Sequence, residues 1–183
     1  TILKKYYQKY LNRDPDLEGF RYYLSLLKNG DVDEKILQNI FVNSPEYKIN
    51  QLTLRYKQIP KIKIEKNGKT FFVNSSNNAS FWASMQVGVW EPETFKIFDI
   101  FLDKNHSYID LGAWIGPTVL YGCQNAKFCY AIEPDPVAFE YLKNNINLND
   151  HLRSCITLSD ECITDFSGTT FLTPVSKEGG DSL

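Results

Sequence analysis

The chain has 183 residues, 43% of them hydrophobic and 14% aromatic, with a formal net charge of −2. That is enough apolar material to pack one ordinary domain or two small ones, which excludes a disordered chain, and the near-neutral charge excludes a general attraction to nucleic acid. The charge is uneven, with 13 Lys/Arg against 8 Asp/Glu through Asn67 and 7 against 14 beyond it, so the basic front is a solvated helix surface or, as the alternative, a peripheral contact to an anionic glycolipid.

Residues 1–57 predict an all-helical accessory domain. Ile2, Leu3, Tyr6, Tyr7, Tyr10 and Leu11 fall on one helical stripe. A second helix over Leu17–Lys28 carries Leu17, Phe20, Tyr23, Leu24 and Leu27 and is stopped by Gly30. A third, over Asp33–Asn43, turns Ile36, Leu37, Ile40 and Phe41 inward. Ser44 caps a fourth, with Pro45 in its first turn, running to Tyr56. Asp14-Pro15-Asp16-Leu17-Glu18-Gly19 opens like a calcium-binding EF-hand loop, but the closing bidentate Glu is replaced by Ser25, and calcium is rejected. Arg13 and Asp14 are read instead as an ion partner and a helix cap. Leu11-Asn12-Arg13-Asp14-Pro15-Asp16-Leu17-Glu18-Gly19-Phe20, with Ser44-Pro45-Glu46-Tyr47, resembles a small bacterial helical domain of unknown function. It is found beside enzymes that build cell-surface polysaccharides, and that resemblance implies no chemistry.

Residues 58–90 predict a connection. Lys61–Glu65 and Thr70–Val73 alternate around Asn67-Gly68, the strongest short hairpin signal. Asn74–Ser80 reads as a polar loop. Glu91-Pro92 then starts an amphipathic helix reaching Leu102, with Phe95, Phe98, Phe101 and Leu102 inward.

Residues 91–183 carry the chemistry. A buried strand, Tyr108–Leu111, ends in Asp110, and Gly112 and Gly116 follow at a turn into a helix. A second strand, Phe128–Ile132, ends in Glu133. Asp135 caps the next helix, Val137–Asn147, whose core face is Phe139, Leu142 and Ile146, and a third strand covers Cys155–Leu158. Gly112 permits the sharp turn and a close ligand, having no Cβ. Gly116 brings the helix near the sheet, and Glu133 is placed to accept both hydroxyls of a ribose. That much fits NAD and other adenosine cofactors alike. Asp110 separates them, because it would repel a pyrophosphate but attracts the ammonium and sulfonium of S-adenosylmethionine (SAM). The spacing is also Gly-x-x-x-Gly, not the dinucleotide Gly-x-Gly-x-x-Gly.

From Trp90 to Phe171 the chain resembles the FkbM family of SAM-dependent methyltransferases. The resemblance is carried by Trp90-Glu91-Pro92-Glu93-Thr94, Asp110-Leu111-Gly112-Ala113-Trp114-Ile115-Gly116, Glu133-Pro134-Asp135-Pro136, Asn145-Ile146-Asn147-Leu148-Asn149, and Ile156-Thr157-Leu158 running to Gly168. Trp114 departs from it, many members having Asn there. The resemblance implies the N-terminal half of a Rossmann-like class I methyltransferase sheet, parallel, α/β, and preceded here by the helical domain. It implies O-methylation of a hydroxyl on a sugar, glycan or secondary metabolite, with SAM as cofactor and a small-molecule or glycan acceptor. Its cofactor residues carry over to Glu91, Asp110, Gly112, Ala113, Gly116, Glu133, Asp160 and Glu161. Glu91 is a candidate for the methionine ammonium, against the alternative of a first-turn acid favoured by the helix dipole. Asp160 and Glu161 come to the adenine, whose amino hydrogens Asp160 can accept. No residue is singled out as the base that would take the acceptor's proton.

Cys123, Cys129, Cys155 and Cys162 form no Cys-x-x-Cys pair, and with only His106 and His151 beside them no metal site follows. Cys129, inside a strand, is read as a small buried apolar residue. Free thiols, no signal peptide and no apolar run near the roughly 18 residues of a membrane span point to the cytoplasm. Asp165–Thr169 reads as a turn into one more strand before the tail Lys177–Leu183. A sheet of this kind normally continues, so the sequence is expected to be part of a longer protein, whose missing half or an oligomer covers the open sheet edge. Two rival functions stand beside methyl transfer. One is a non-catalytic interaction module of a glycan-assembly system, the other an NAD-dependent oxidoreductase.

Overall fold

The structure, a computed structural model, describes residues 2–165 and 167–169. At the front, helix α1 (Ile2–Tyr6) passes into a π-helical turn (Tyr7–Leu11) that ends at Asn12, left-handed at φ 57°. Helices α2 (Leu17–Asn29), α3 (Glu34–Asn43) and α4 (Pro45–Tyr56) follow. Each is capped by a side-chain oxygen accepting a first-turn N–H: Asp16 from Gly19, Asp33 from Ile36, Ser44 from Tyr47. The cap of α2 is thus Asp16 and not Asp14, because Leu17 is the first helical residue and a cap must immediately precede it. Asp14 instead accepts from Gln8 Nε2 at 3.0 Å. Arg13 forks onto both carboxylate oxygens of Glu46 and also reaches Asp16, tying the starts of α2 and α4 together.

Leu3, Tyr6, Tyr7, Tyr10, Leu11, Leu37 and Phe41 form the buried cluster of this front region. Leu17 and Ile36, expected inside, are exposed (63% and 47%). Both sit in the first turn of their helices, where the apolar stripe has not yet come round onto the cluster. Helix α4 serves two cores. Its Tyr47 ring meets Tyr10 in the helical cluster, while Ile49, Leu52 and Tyr56 pack into the second.

That second core begins with a hairpin, β1 (Lys61–Lys66) and β2 (Lys69–Asn74). Asn67 and Gly68 both take positive φ, as a two-residue hairpin turn requires. Ile62, Ile64, Phe71 and Val73 face inward. Residues Ala79–Val87, for which the sequence predicts no element, form helix α5. The segment is apolar nearly all round, so it has no stripe for periodicity to detect, and it is buried at Ala79, Trp82, Ala83 and Met85. Helix α6 (Pro92–Phe101) buries Phe95 and rests Phe98 on Tyr108. Phe101, expected inside, is exposed at 67%, since six residues from Phe95 the helix has rotated it off the inner stripe.

Three parallel strands, β3 (Tyr108–Leu111), β4 (Cys129–Ile132) and β5 (Ile156–Ser159), pair in that order. Helix α7 (Pro117–Gly122) connects the first two, and helix α8 (Pro136–Asn147) with a 3-10 turn (Asp150–Cys155) connects the second pair. The chain is therefore mixed α/β around a parallel sheet. Cys129 and Ala131 are buried beneath these helices. The other face is open, with Ile109 and Leu111 each 63% exposed and Tyr130 46%, so β3 is covered on one side only. The expected strand after Asp165–Thr169 and the tail Lys177–Leu183 lie outside the described residues.

Candidate functional site

Because β3, β4 and β5 are parallel, their carboxyl ends meet along one rim, the usual ligand position in open α/β sheets. Asp110 to Gly116, Glu133, Asp160 and Glu161 all lie on that rim. At β3 the backbone turns back over the sheet, and the N–H groups of Gly112 and Ala113 both donate to the Ile132 carbonyl, at 2.9 and 3.0 Å. Gly112 takes φ 77°, and a Cβ built there would meet nothing within 4 Å. Ala113 is buried. Gly116 takes φ 90°, and a Cβ there would come within 2.7 Å of Leu142 Cδ1. The close packing expected at Gly116 is real, but the surface it meets is helix α8, not the sheet.

Glu133 is 7% exposed. Its Oε2 accepts the Trp114 N–H at 2.7 Å and its Oε1 the Asp135 N–H at 2.9 Å. One carboxylate thus fixes the glycine loop and the turn after β4. Trp114 stands at φ 49°, a left-handed conformation costly for a bulky residue.

Asp110 reaches in from β3. Burial pushes its carboxyl above the usual range, the nearby charges of Glu133 and Glu91 push the same way, and a hydrogen bond with Thr118 opposes them. Its Oδ2 is buried without a hydrogen-bond partner. Such an atom costs on the order of 1–3 kcal/mol. Glu91 precedes α6 in a left-handed conformation (φ 37°), exposed, with Thr94 Oγ1 donating to its Oε2 at 3.0 Å. Glu91 is the N-cap of α6, just outside the first turn, where the acid is Glu93, and its charge is felt at Asp110. Asp160 and Glu161 follow β5, both exposed.

Two residues that the sequence analysis names only as part of the resemblance, with no role of their own, hold the rim in place. Asn145 (2% exposed) donates from Nδ2 to the Ile115 carbonyl at 2.9 Å and accepts the Asn74 N–H at 2.8 Å. Asn149 (1% exposed) accepts the Phe72 N–H at 2.8 Å and donates to the carbonyls of Phe72 and Asn145. Helix α8 is thereby stitched to β2 on one side and to the glycine loop on the other. The signal in the sequence was the motif Asn145-Ile146-Asn147-Leu148-Asn149 itself, and both buried amides find hydrogen-bond partners, as buried polar groups do.

Among the described residues no group of His, Cys, Asp and Glu could hold a metal ion, and no helix is long and apolar enough to cross a membrane. Cys129 is buried, as its strand position predicts, and burial pushes its thiol up to about 12. A concavity of about 410 Å³ between Ile2, Lys5, Tyr6, Lys9 and Glu34 lies in the helical front and contains none of the rim residues.

Residues 3–51 match the family model described as "Domain of unknown function (DUF4214)", so that domain is present. No curated protein matches the chain. Three solved structures are similar to part of it. Trm5b from Pyrococcus abyssi is 20% identical at a TM-score of 0.39, over 56% of this chain and 29% of that one. A complex of aTrm5 with tRNALeu is 28% identical at 0.38, over 55% and 28%. TYW2 of M. jannaschii in complex with AdoMet is 22% identical at 0.37, over 55% and 44%. The chain thus spans less than half the length of each, and a likeness at these scores carries no conclusion about activity.

Proposed function

We propose that residues 91–183 are the cofactor-binding part of a SAM-dependent methyltransferase with a Rossmann-like class I sheet, transferring a methyl group to a hydroxyl of a sugar, glycan or secondary metabolite. The observation that carries this reading is the placing of Asp110 and Glu133 on one strand-end rim, with the Glu91 charge felt at Asp110, beside the open space over Gly112. Three carboxylates there disfavour a pyrophosphate and favour a cationic ligand. The unpartnered buried oxygen of Asp110 fits the same ligand, since a cation would lower the cost of its burial.

When bound, SAM would supply a methyl group on a sulfonium leaving group. The residues of this chain bind and orient. Glu133 spends one acceptor site on each of two backbone N–H groups and keeps lone pairs for the ribose hydroxyls. Gly112 leaves room for close approach, Ala113 and Gly116 shape the loop, and Asp160 and Glu161 line the adenine end. Holding the acceptor oxygen in line at about 3 Å lowers the barrier through proximity. Free thiols fit a cytoplasmic setting.

The test is calorimetric titration with S-adenosylhomocysteine, beside NAD and a Glu133→Ala variant. Saturable binding that the variant weakens and NAD does not reproduce supports the reading, and NAD binding in its place overturns it. The open face of Ile109, Leu111 and Tyr130 favours a second reading, a non-catalytic module docked on a glycan-assembly system. A folded chain that binds neither nucleotide would fit that one.

A further inference from the structure

Beside the strand-end rim stands a cluster of aromatic rings that the cofactor reading does not use. Phe81 of α5 is at its centre. Trp114 of the glycine loop meets Phe81 edge-on with ring centroids 4.5 Å apart, and Trp90 meets it edge-on at 4.9 Å. All three are half-buried, so each keeps part of its surface open to solvent. Among the described residues, four non-glycine residues stand at positive φ. Asn12 and Asn67 are asparagines, which adopt that conformation easily. The other two, Glu91 and Trp114, are not eased in this way, and both belong to this cluster or its rim. Backbone strain of that kind persists where the surroundings hold it, and it collects at ligand sites.

The chemistry of the cluster selects its ligand. Aromatic faces bury apolar C–H surface, and Trp90 adds an indole N–H. The exposed Glu91 carboxylate at the rim engages Thr94 through Oε2 and can accept hydroxyl hydrogens through Oε1. An anionic chain is disfavoured, because Glu133, Asp160 and Glu161 follow the strand ends and the Glu91 charge is felt at Asp110, so a phosphodiester would approach like charge. A neutral ring with one apolar face and several hydroxyls satisfies both halves. We infer that Trp114, Trp90 and Phe81, with Glu91 at their edge, form the seat of a sugar ring, the acceptor of the proposed transfer. This rests on the reading above for the reaction but not for the binding. The seat also gives Trp114 a role for its strained position, since its ring reaches Phe81 from the loop that would carry the cofactor.

The experiment is ligand-observed saturation-transfer NMR on the chain with methyl glucopyranoside and methyl mannopyranoside, with and without S-adenosylhomocysteine. A short single-stranded RNA is the competing probe, and calorimetry with S-adenosylhomocysteine runs in parallel. Trp90→Ala, Trp114→Asn and Glu91→Gln are compared with Tyr22→Ala, an exposed ring in the helical front, each shown folded by its thermal melt. Glu91→Gln changes only an exposed side chain and keeps the test decisive where a tryptophan variant does not fold. The expected result is sugar signal in the parent chain, about fivefold to tenfold weaker in the three seat variants and unchanged in Tyr22→Ala. Calorimetry with Trp90→Ala should be unaffected. Sugar signal that survives all three variants, its absence from the parent chain, or RNA binding lost with the same residues overturns the seat. Sugar binding without any S-adenosylhomocysteine binding leaves the seat standing and overturns the cofactor reading instead.

Discussion

The Glu133 carboxylate accepts the backbone N–H of Trp114 at 2.7 Å, so the acid that ends β4 directly holds the loop that leaves β3. A charge-assisted bond of this kind is stronger than a neutral one, and the same carboxylate also takes the Asp135 N–H. Glu133 is therefore a structural clamp as well as a candidate ribose acceptor. Glu133→Ala leaves two N–H groups without their acceptor and should cost about 2–4 kcal/mol, taking each at about 1–2, read as a lower midpoint in urea. S-adenosylhomocysteine affinity should fall about tenfold or more by calorimetry. An unchanged affinity would separate the clamp from the ligand.

Asp110 gives a prediction with a definite sign. Burial, with Glu133 and Glu91, raises its carboxyl in the folded state, so the fold takes up that proton before the unfolded chain does as pH falls. Its contribution favours the fold at acid pH and is lost as pH rises through the raised value. Asp110→Asn mimics the protonated form. At neutral pH the variant should melt above the parent chain by about 2–4 °C for each kcal/mol relieved. The difference should shrink as pH falls into and below the ordinary carboxylate range, where the parent carboxyl takes up its proton. Affinity for S-adenosylhomocysteine should fall in the same variant. A lower melting point at neutral pH would mean that the carboxylate is stabilised where it sits, and the cation argument would lose its support.

What the sequence made legible follows what each signal measures. Caps and turns are local, so Ser44, Asp135 and Asn67-Gly68 were readable from neighbours alone, as were the bounds of β3 and β4 to within a residue. Helix α5 was not readable, because a segment apolar on nearly every side has no period to find. Phe101 and Ile36 misled for the opposite reason: their composition said core, while their angle on the helix said solvent. At the site, Asp110, Gly112, Gly116 and Glu133 were marked by spacing. The Glu133 clamp on Trp114, the surface that Gly116 meets and the Asn145 bridge depend on contacts between distant segments, which spacing does not encode.

Asn145 is the clearest test of that tertiary layer. Its buried amide bridges the Ile115 carbonyl and the Asn74 N–H, so the loop and the hairpin share one side chain. Asn145→Ala strands a donor and an acceptor in the interior at a cost of about 2–4 kcal/mol, taking each unsatisfied group at about 1–2. Thermal unfolding should show it as one of the largest single-residue losses in the α/β core. Asn145→Asp keeps an acceptor for Asn74 but faces the Ile115 carbonyl with a second acceptor, and it should not restore the parent stability. A variant as stable as the parent would mean that water replaces the amide and that the bridge positions nothing.

The two glycines of the loop should part company on substitution by alanine. At Gly116 the new Cβ meets Leu142 Cδ1 at 2.7 Å with φ at 90°, so both sterics and backbone oppose it. Gly116→Ala should cost about 2–4 kcal/mol, the sum of an overpacked core contact and left-handed strain, and binding should weaken only as far as the fold does. At Gly112 the Cβ meets nothing within 4 Å, leaving only the strain of φ 77°. Gly112→Ala should cost about 1 kcal/mol of stability while placing a methyl group in the space a ligand would enter. Paired melts and S-adenosylhomocysteine titrations read the contrast directly: Gly116→Ala as a stability variant, Gly112→Ala as a binding variant. Equal binding by Gly112→Ala and the parent chain would show that the open space over that glycine is not where the cofactor lies.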